Sequence, residues 1–128
     1  MRIVWYVTPH GFGHLARSCD ILRALLERRP DARAVISGDP PPDFVRARLP
    51  DERVSLRRAI LDAGFRQRDA VRGDVAASLA AALDLVRHRE SLVREETRFL
   101  REAEASLVVS DIPSIPFEAA AAAGIPCA

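Results

Sequence analysis

The chain predicts an α/β fold of the doubly wound type, on three observations. Short apolar runs at 3–7, 34–37 and 107–110 read as buried strands, and helical patterns separate them. A glycine loop, Pro9-His10-Gly11-Phe12-Gly13-His14, joins the first strand to the first helix. Strands alternating with helices imply a mostly parallel sheet with right-handed crossovers and helices on both faces. At 128 residues the chain is long enough for one domain around one core and too short for a two-domain enzyme with an interdomain cleft.

Ile3-Val4-Trp5-Tyr6-Val7 is continuous, β-branched and aromatic, as expected of a central strand covered on both sides. From His14 to Arg29 the positions Leu15, Cys19, Leu22, Leu25 and Leu26 follow three-and-four spacing, so a helix runs until Pro30. Ala34-Val35-Ile36-Ser37 makes a second strand, ended by Gly38-Asp39 and three prolines. Asp43 is placed to cap a short helix reaching Leu49, and Arg53 to Ile60 reads as a weaker strand because Arg57-Arg58 interrupts its apolar side. The stretch 61–74 follows neither period and is long enough to be a functional loop. A long helix starts near Asp74, with Leu79, Leu83, Val86, Val93 and Leu100 as its buried stripe and Glu90 and Arg94 one turn apart on the solvated side. Leu107-Val108-Val109-Ser110 is a last full strand, and Phe117 to Ala123 is a small-residue helix closed by Gly124. Ile125-Pro126-Cys127-Ala128 looks like the opening of a further strand, so the chain reads as cut short there.

Composition narrows the function. All 19 basic residues are arginine, which a GC-rich genome explains, and 18 acidic residues leave a net charge of +1, too little to draw a nucleic acid. Cys19 within a helix and Cys127 near the end form neither a metal cluster nor a disulfide framework, which fits a reducing cytoplasm. No apolar run is long enough for a signal-peptide core or a membrane span. Without a lysine there is no Walker loop.

In a doubly wound sheet the ligand site lies beyond the carboxyl ends of the strands, near the point where strand order reverses. The loop at 9–14, the loop at 61–74 and the turn after Asp111 should meet there. Gly11 and Gly13 let the main chain approach a ligand, and the free N–H groups of the following helix favour negative charge. Gly11, Gly13 and Ala16 also satisfy the glycine pattern of dinucleotide-binding loops, which permits an NAD(P)-dependent oxidoreductase. The ribose-binding acid would then be Asp39, at a longer spacing than that fingerprint expects. His14 lies in the first turn of the helix, where the macrodipole disfavours imidazolium and leaves a ring able to accept a hydroxyl proton; packing at the helix start is the alternative. Asp111 should emerge at the same edge, either to fix the tautomer of His14 or to cap the next helix. Arg17, one turn on, can reach a phosphate or carboxylate or form a surface ion pair.

The run Tyr6-Val7-Thr8-Pro9-His10-Gly11-Phe12-Gly13-His14-Leu15-Ala16-Arg17 resembles the N-terminal half of GT-B glycosyltransferases. It is most similar to the glycosyltransferase-like domain of L-arabinokinases and their bacterial relatives. Leu61-Asp62-Ala63-Gly64 with Gln67 and Asp69, and Leu107-Val108-Val109-Ser110-Asp111 with Ala119-Ala120 and Gly124-Ile125, agree with that closer group. The resemblance implies that residues 1–128 form one Rossmann-like, acceptor-side domain, with a C-terminal donor-binding domain absent from this stretch. It implies inverting transfer from a nucleotide-sugar donor, a co-substrate rather than a resident cofactor, to a hydroxyl acceptor, without a metal. His14 and Asp111 fall on the catalytic positions. Gly11, Phe12, Gly13 and Arg17 fall on the donor side, and His10, Asp62, Gln67 and Asp69 on the substrate side. Relatives that carry this domain beside a sugar kinase imply an alternative, a sugar-binding module without catalysis.

Overall fold

The computed structural model describes residues 1–69 and 72–128. Its elements run β1 (Arg2–Val7), α1 (Phe12–Arg28), β2 (Arg33–Gly38), α2 (Pro42–Arg48), β3 (Val54–Arg58), α3 (Val75–Glu102), β4 (Leu107–Asp111) and α4 (Ile115–Ala123). The strands pair in parallel in the order β3-β2-β1-β4. The sheet therefore grows one way from β1 through β2 and β3, and the other way through β4. The topological switch falls between β1 and β4, where a ligand crevice is expected.

Alternation along β1 divides the core in two. Ile3, Trp5 and Val7 meet Leu15, Cys19, Leu22 and Leu26 of α1, Val45 of α2 and Leu49 at its end, while Val4 and Tyr6 meet Leu100, Val108, Ile115, Ala119 and Ala120 under α3 and α4. Both faces are covered, as the uninterrupted apolar run in β1 requires. Residues 126–128 lie alongside β4, with Val108 N–H donating to Pro126 at 3.0 Å and Ser110 N–H to Ala128 at 3.0 Å.

Several local expectations need adjustment. Helix α1 begins at Phe12, two residues before His14, with Gly11 at φ 82° as its N-cap. Asp43 lies in the first turn of α2 rather than capping it, because Pro41 holds the cap position in an extended conformation. Asp74 does cap α3, its side chain accepting from the Ala77 N–H at 2.9 Å. Gly124 closes α4 in the left-handed region, φ 72°.

The stripe predicted to be buried along α3 is buried only toward its end. Leu79, Leu83 and Val86 are 59, 47 and 66% exposed, whereas Leu100 is fully covered. Length explains it. A helix of 28 residues is about 42 Å long, and a strand of five residues covers only about 17 Å. Running antiparallel to the strands it connects, α3 packs its C-terminal half under the sheet and carries its N-terminal half past the carboxyl edge.

Arg57, which broke the apolar pattern of β3, turns out to anchor that packing. Its guanidinium bonds Glu96 Oε2 and Oε1 at 2.8 and 2.7 Å, donates to Ser37 Oγ at 3.0 Å, and lies 3.7 Å over the Phe99 ring. Tyr6 donates to Glu96 Oε2 at 2.6 Å, and Tyr6 and Glu96 are both buried. Burial first, and then the Glu96 charge, push the Tyr6 phenol above its ordinary range. Glu96→Ala leaves Arg57 and the Tyr6 hydroxyl without their acceptor, a loss of about 3 kcal/mol by the usual cost of breaking a buried pair. Urea unfolding should show a lower midpoint at unchanged slope.

Candidate active site

The parallel register decides the site. Val7 pairs with Asp111 at the carboxyl ends of β1 and β4, so the glycine loop and Asp111 leave the sheet side by side at the switch point. His14, in the first turn of α1, places Nδ1 3.0 Å from Asp111 Oδ2, although 97 residues separate them in sequence. An ionised carboxylate only accepts, so Nδ1 carries the proton in the neutral ring and Nε2 carries the lone pair. Arg17 completes the group, with Nη2 3.3 and 3.1 Å from Oδ1 and Oδ2 of Asp111. Partial burial opposes ionisation of Asp111, but the hydrogen bonds and charges of His14 and Arg17 outweigh it and hold the carboxyl below its usual value.

The start of α1 is open. No side chain caps it, Gly11, Phe12 and Gly13 are exposed, and a Cβ on either glycine would meet nothing within 4 Å. The N–H groups of this first turn suit an anion. Phe12 instead stacks on Phe44 of α2 with ring centroids 5.0 Å apart.

Residues from the loop that follows β3, the third loop of the sheet's carboxyl edge, are divided between holding the site and facing solvent. Thr8, buried at the end of β1, donates to Asp62 Oδ2 at 2.6 Å, and Asp62 Oδ1 accepts from the Gly64 N–H at 3.1 Å. Asp62 thus pins the loop to β1. Gly64, at φ 57°, lies against His10, and a Cβ there would fall 1.7 Å from His10 Nε2. That nitrogen is buried and has no hydrogen-bond partner among the described residues. Gln67 and Asp69 are exposed: Gln67 bridges to Gly73, and Asp69 accepts from the Arg72 N–H at 2.9 Å. Asp39 is exposed and paired with Arg58 at 3.2 Å. Nothing in the sequence pointed to Thr8, whose partner is 54 residues away.

A groove of about 380 Å³ runs between this loop and the overhanging part of α3, lined by Ile60, Asp62, Ala63 and Arg66 on one side and Ala81, Leu85 and His88 on the other. A wider, open concavity of about 840 Å³ follows the outer face of α1 and contains neither histidine of the glycine loop. Among the described residues, no three His, Cys, Asp or Glu side chains are grouped to hold a metal, and no helix is long and apolar enough to cross a membrane.

An all-parallel sheet with helices on both faces and a glycine loop at the switch point defines a Rossmann-like, doubly wound α/β domain. Solved glycosyltransferases share it: a UGT transferase from Siraitia grosvenorii superimposes with a TM-score of 0.61 at 16% identity, over 98% of this chain and 26% of that one. The calicheamicin glycosyltransferase CalG4 gives 0.58 at 21% identity, over 99% and 31%. At such identities the likeness is one of fold. In sequence, the chain is 36% identical to L-arabinokinase of Arabidopsis thaliana over 94% of its own length, and it is a relative of that stretch of the plant protein. It spans 12% of L-arabinokinase. No family model matches the chain.

Two outcomes follow from this geometry. Gly64→Ala combines a strained left-handed φ with a collision against the His10 ring, so about 1 to 3 kcal/mol should be lost in urea unfolding. Asp111 ionises at lower pH in the folded chain than in the unfolded one, so the unfolded chain binds more protons in acid and stability falls there. The contribution is complete above about pH 5 and fades as pH drops through the folded-state titration. Asp111→Asn should flatten the acid limb of the urea midpoint plotted against pH.

Proposed function

We propose that this chain is the acceptor-side half of a glycosyltransferase that moves a sugar from a nucleotide-activated donor to a hydroxyl group, with His14 as the base. The contact between His14 Nδ1 and Asp111 Oδ2, 3.0 Å at the switch point, is the observation that carries the reading. With Nδ1 committed to Asp111, Nε2 takes the proton of the acceptor hydroxyl as its oxygen attacks the anomeric carbon. The bond from that carbon to the nucleoside diphosphate breaks with inversion, through an oxocarbenium-like transition state. The diphosphate leaves with the electron pair, and Asp111 stabilises the imidazolium.

The uncapped first turn of α1 at Gly11, Phe12 and Gly13 supports a role in meeting the diphosphate, and the rest of the donor would be held by a second domain. The acceptor would enter from the side of the third loop, where the groove beside α3 has a volume within the range of small-molecule sites. Asp62 and Gly64 then shape that wall through Thr8 and His10, with Gln67 and Asp69 exposed at the rim.

A second reading has its own support: the relative in sequence is named as a kinase, and this chain matches a small part of it. In that reading the same edge binds a sugar or nucleotide-sugar without turning it over, as a module of a larger enzyme.

Release of nucleoside diphosphate from a panel of nucleotide-sugars, measured on the full-length protein, separates the two. Transfer that falls about 10²- to 10⁴-fold in His14→Ala, the usual scale for a lost base, supports catalysis. Unchanged turnover in that variant, with chemistry limiting the rate, overturns the role of His14. Saturable binding without any release supports the module.

A further inference from the structure

Arg17 does more at this site than neutralise Asp111. One nitrogen, Nη2, lies 3.3 and 3.1 Å from the two oxygens of Asp111 and also 3.1 Å from His14 Nδ1. A guanidinium nitrogen can only donate, and Nδ1 in the tautomer facing Asp111 is itself a donor. Two positively polarised N–H groups therefore converge on one carboxylate and face each other at hydrogen-bond distance. The alternative tautomer, with a bare Nδ1 accepting from Arg17, would set a lone pair against the carboxylate oxygen 3.0 Å away. Asp111 selects against it.

We propose that Arg17 is a positioning residue for His14: it clamps both oxygens of Asp111 and sets a fixed positive charge against the ring, keeping the imidazole neutral with Nε2 available.

The two charged groups in contact with the ring act in opposite directions. Asp111, at the end of β4, favours the imidazolium. Arg17, one turn along α1, opposes it twice, by repulsion and by sharing the carboxylate that would otherwise serve His14 alone. The start of α1 adds the positive end of its dipole. The other titratable group of the glycine loop, His10, is turned against Gly64. Arg17 is 61% exposed and His14 35%, so water screens the interaction. For the proposed transfer, a clamp of this kind prevents the dyad from trapping the base in its protonated form. It also makes the imidazolium a better acid once it has formed.

The inference rests on the proposed role of His14 for its purpose, while its test does not require transfer. In the 128-residue chain, the proton titration of His14 can be followed through its ring resonances by nuclear magnetic resonance, with His88 on α3 as an internal reference. Arg17→Gln removes the charge and keeps a hydrogen-bonding side chain. The His14 midpoint is expected to move to higher pH by roughly half a unit to one unit, the scale of one unit charge about 4 Å away in a half-solvated setting. Arg17→Lys, which keeps the charge, should stay within a few tenths of a unit of the unaltered chain, and His88 should not move in either variant. A midpoint that is unchanged or lower in Arg17→Gln, or an equal shift in Arg17→Lys, overturns the proposal. If the midpoint rises as expected while His14→Ala leaves transfer intact, the clamp stands and the role of His14 as base falls.

Discussion

The pairing of Val7 with Asp111 is the constraint on which the rest of the molecule depends. Strand β1 is interior, its neighbours are parallel on both sides, and its side chains are buried on both faces, so neither its position nor its register can slip without exposing a core. Once that register is set, the carboxyl ends of β1 and β4 are adjacent. The chain leaving β1 turns immediately into the glycine loop and α1, and His14 has no distance to cover before it reaches Asp111. The dyad is a consequence of sheet packing as much as of the two residues in it.

The same constraint organises the opposite face. Val4 and Tyr6, alternating with the residues that meet α1, face α3 and α4, and the Tyr6 hydroxyl reaches Glu96. Glu96 in turn receives Arg57 from the edge strand β3. A buried carboxylate thus ties the central strand, the edge strand and the longest helix together. Energetically such a pair gains little over a well-packed apolar equivalent. Its effect is to fix where α3 lies, and so where the N-terminal half of α3 emerges beside the third loop.

Much of the architecture was legible in the chain because it depends on local periodicity. Strand and helix order, the Asp74 cap, the Gly124 terminus and the placement of three loops at one edge follow from patterns a few residues long. Expectations that concerned partners far away fared differently. Arg57 read as a blemish in a strand because its acceptor is 39 residues distant. Leu79, Leu83 and Val86 read as core because periodicity reports which face of a helix is apolar, and says nothing about how far the sheet beneath it extends. Of the candidate site, His14 and Asp111 were legible as a pair through topology, since both follow strands at the switch point. The engagement of Asp62 by Thr8 and of His10 by Gly64 was not, because each depends on contacts that only the folded loops bring within reach; for Arg17 the chain offered a carboxylate or a surface ion pair, and the fold decided that its partner is Asp111.

The sequence by itself therefore determined the class of fold, the edge at which chemistry is possible and the two residue types that could share a proton there, because hydrophobic period and turn chemistry are properties of short stretches. Tertiary structure alone decided that Arg17 leans on the dyad, that the third loop is pinned to β1, and that half of α3 stands beyond the sheet. Those features are set by strand register, helix length and the distances between side chains on separate elements, which no local pattern encodes.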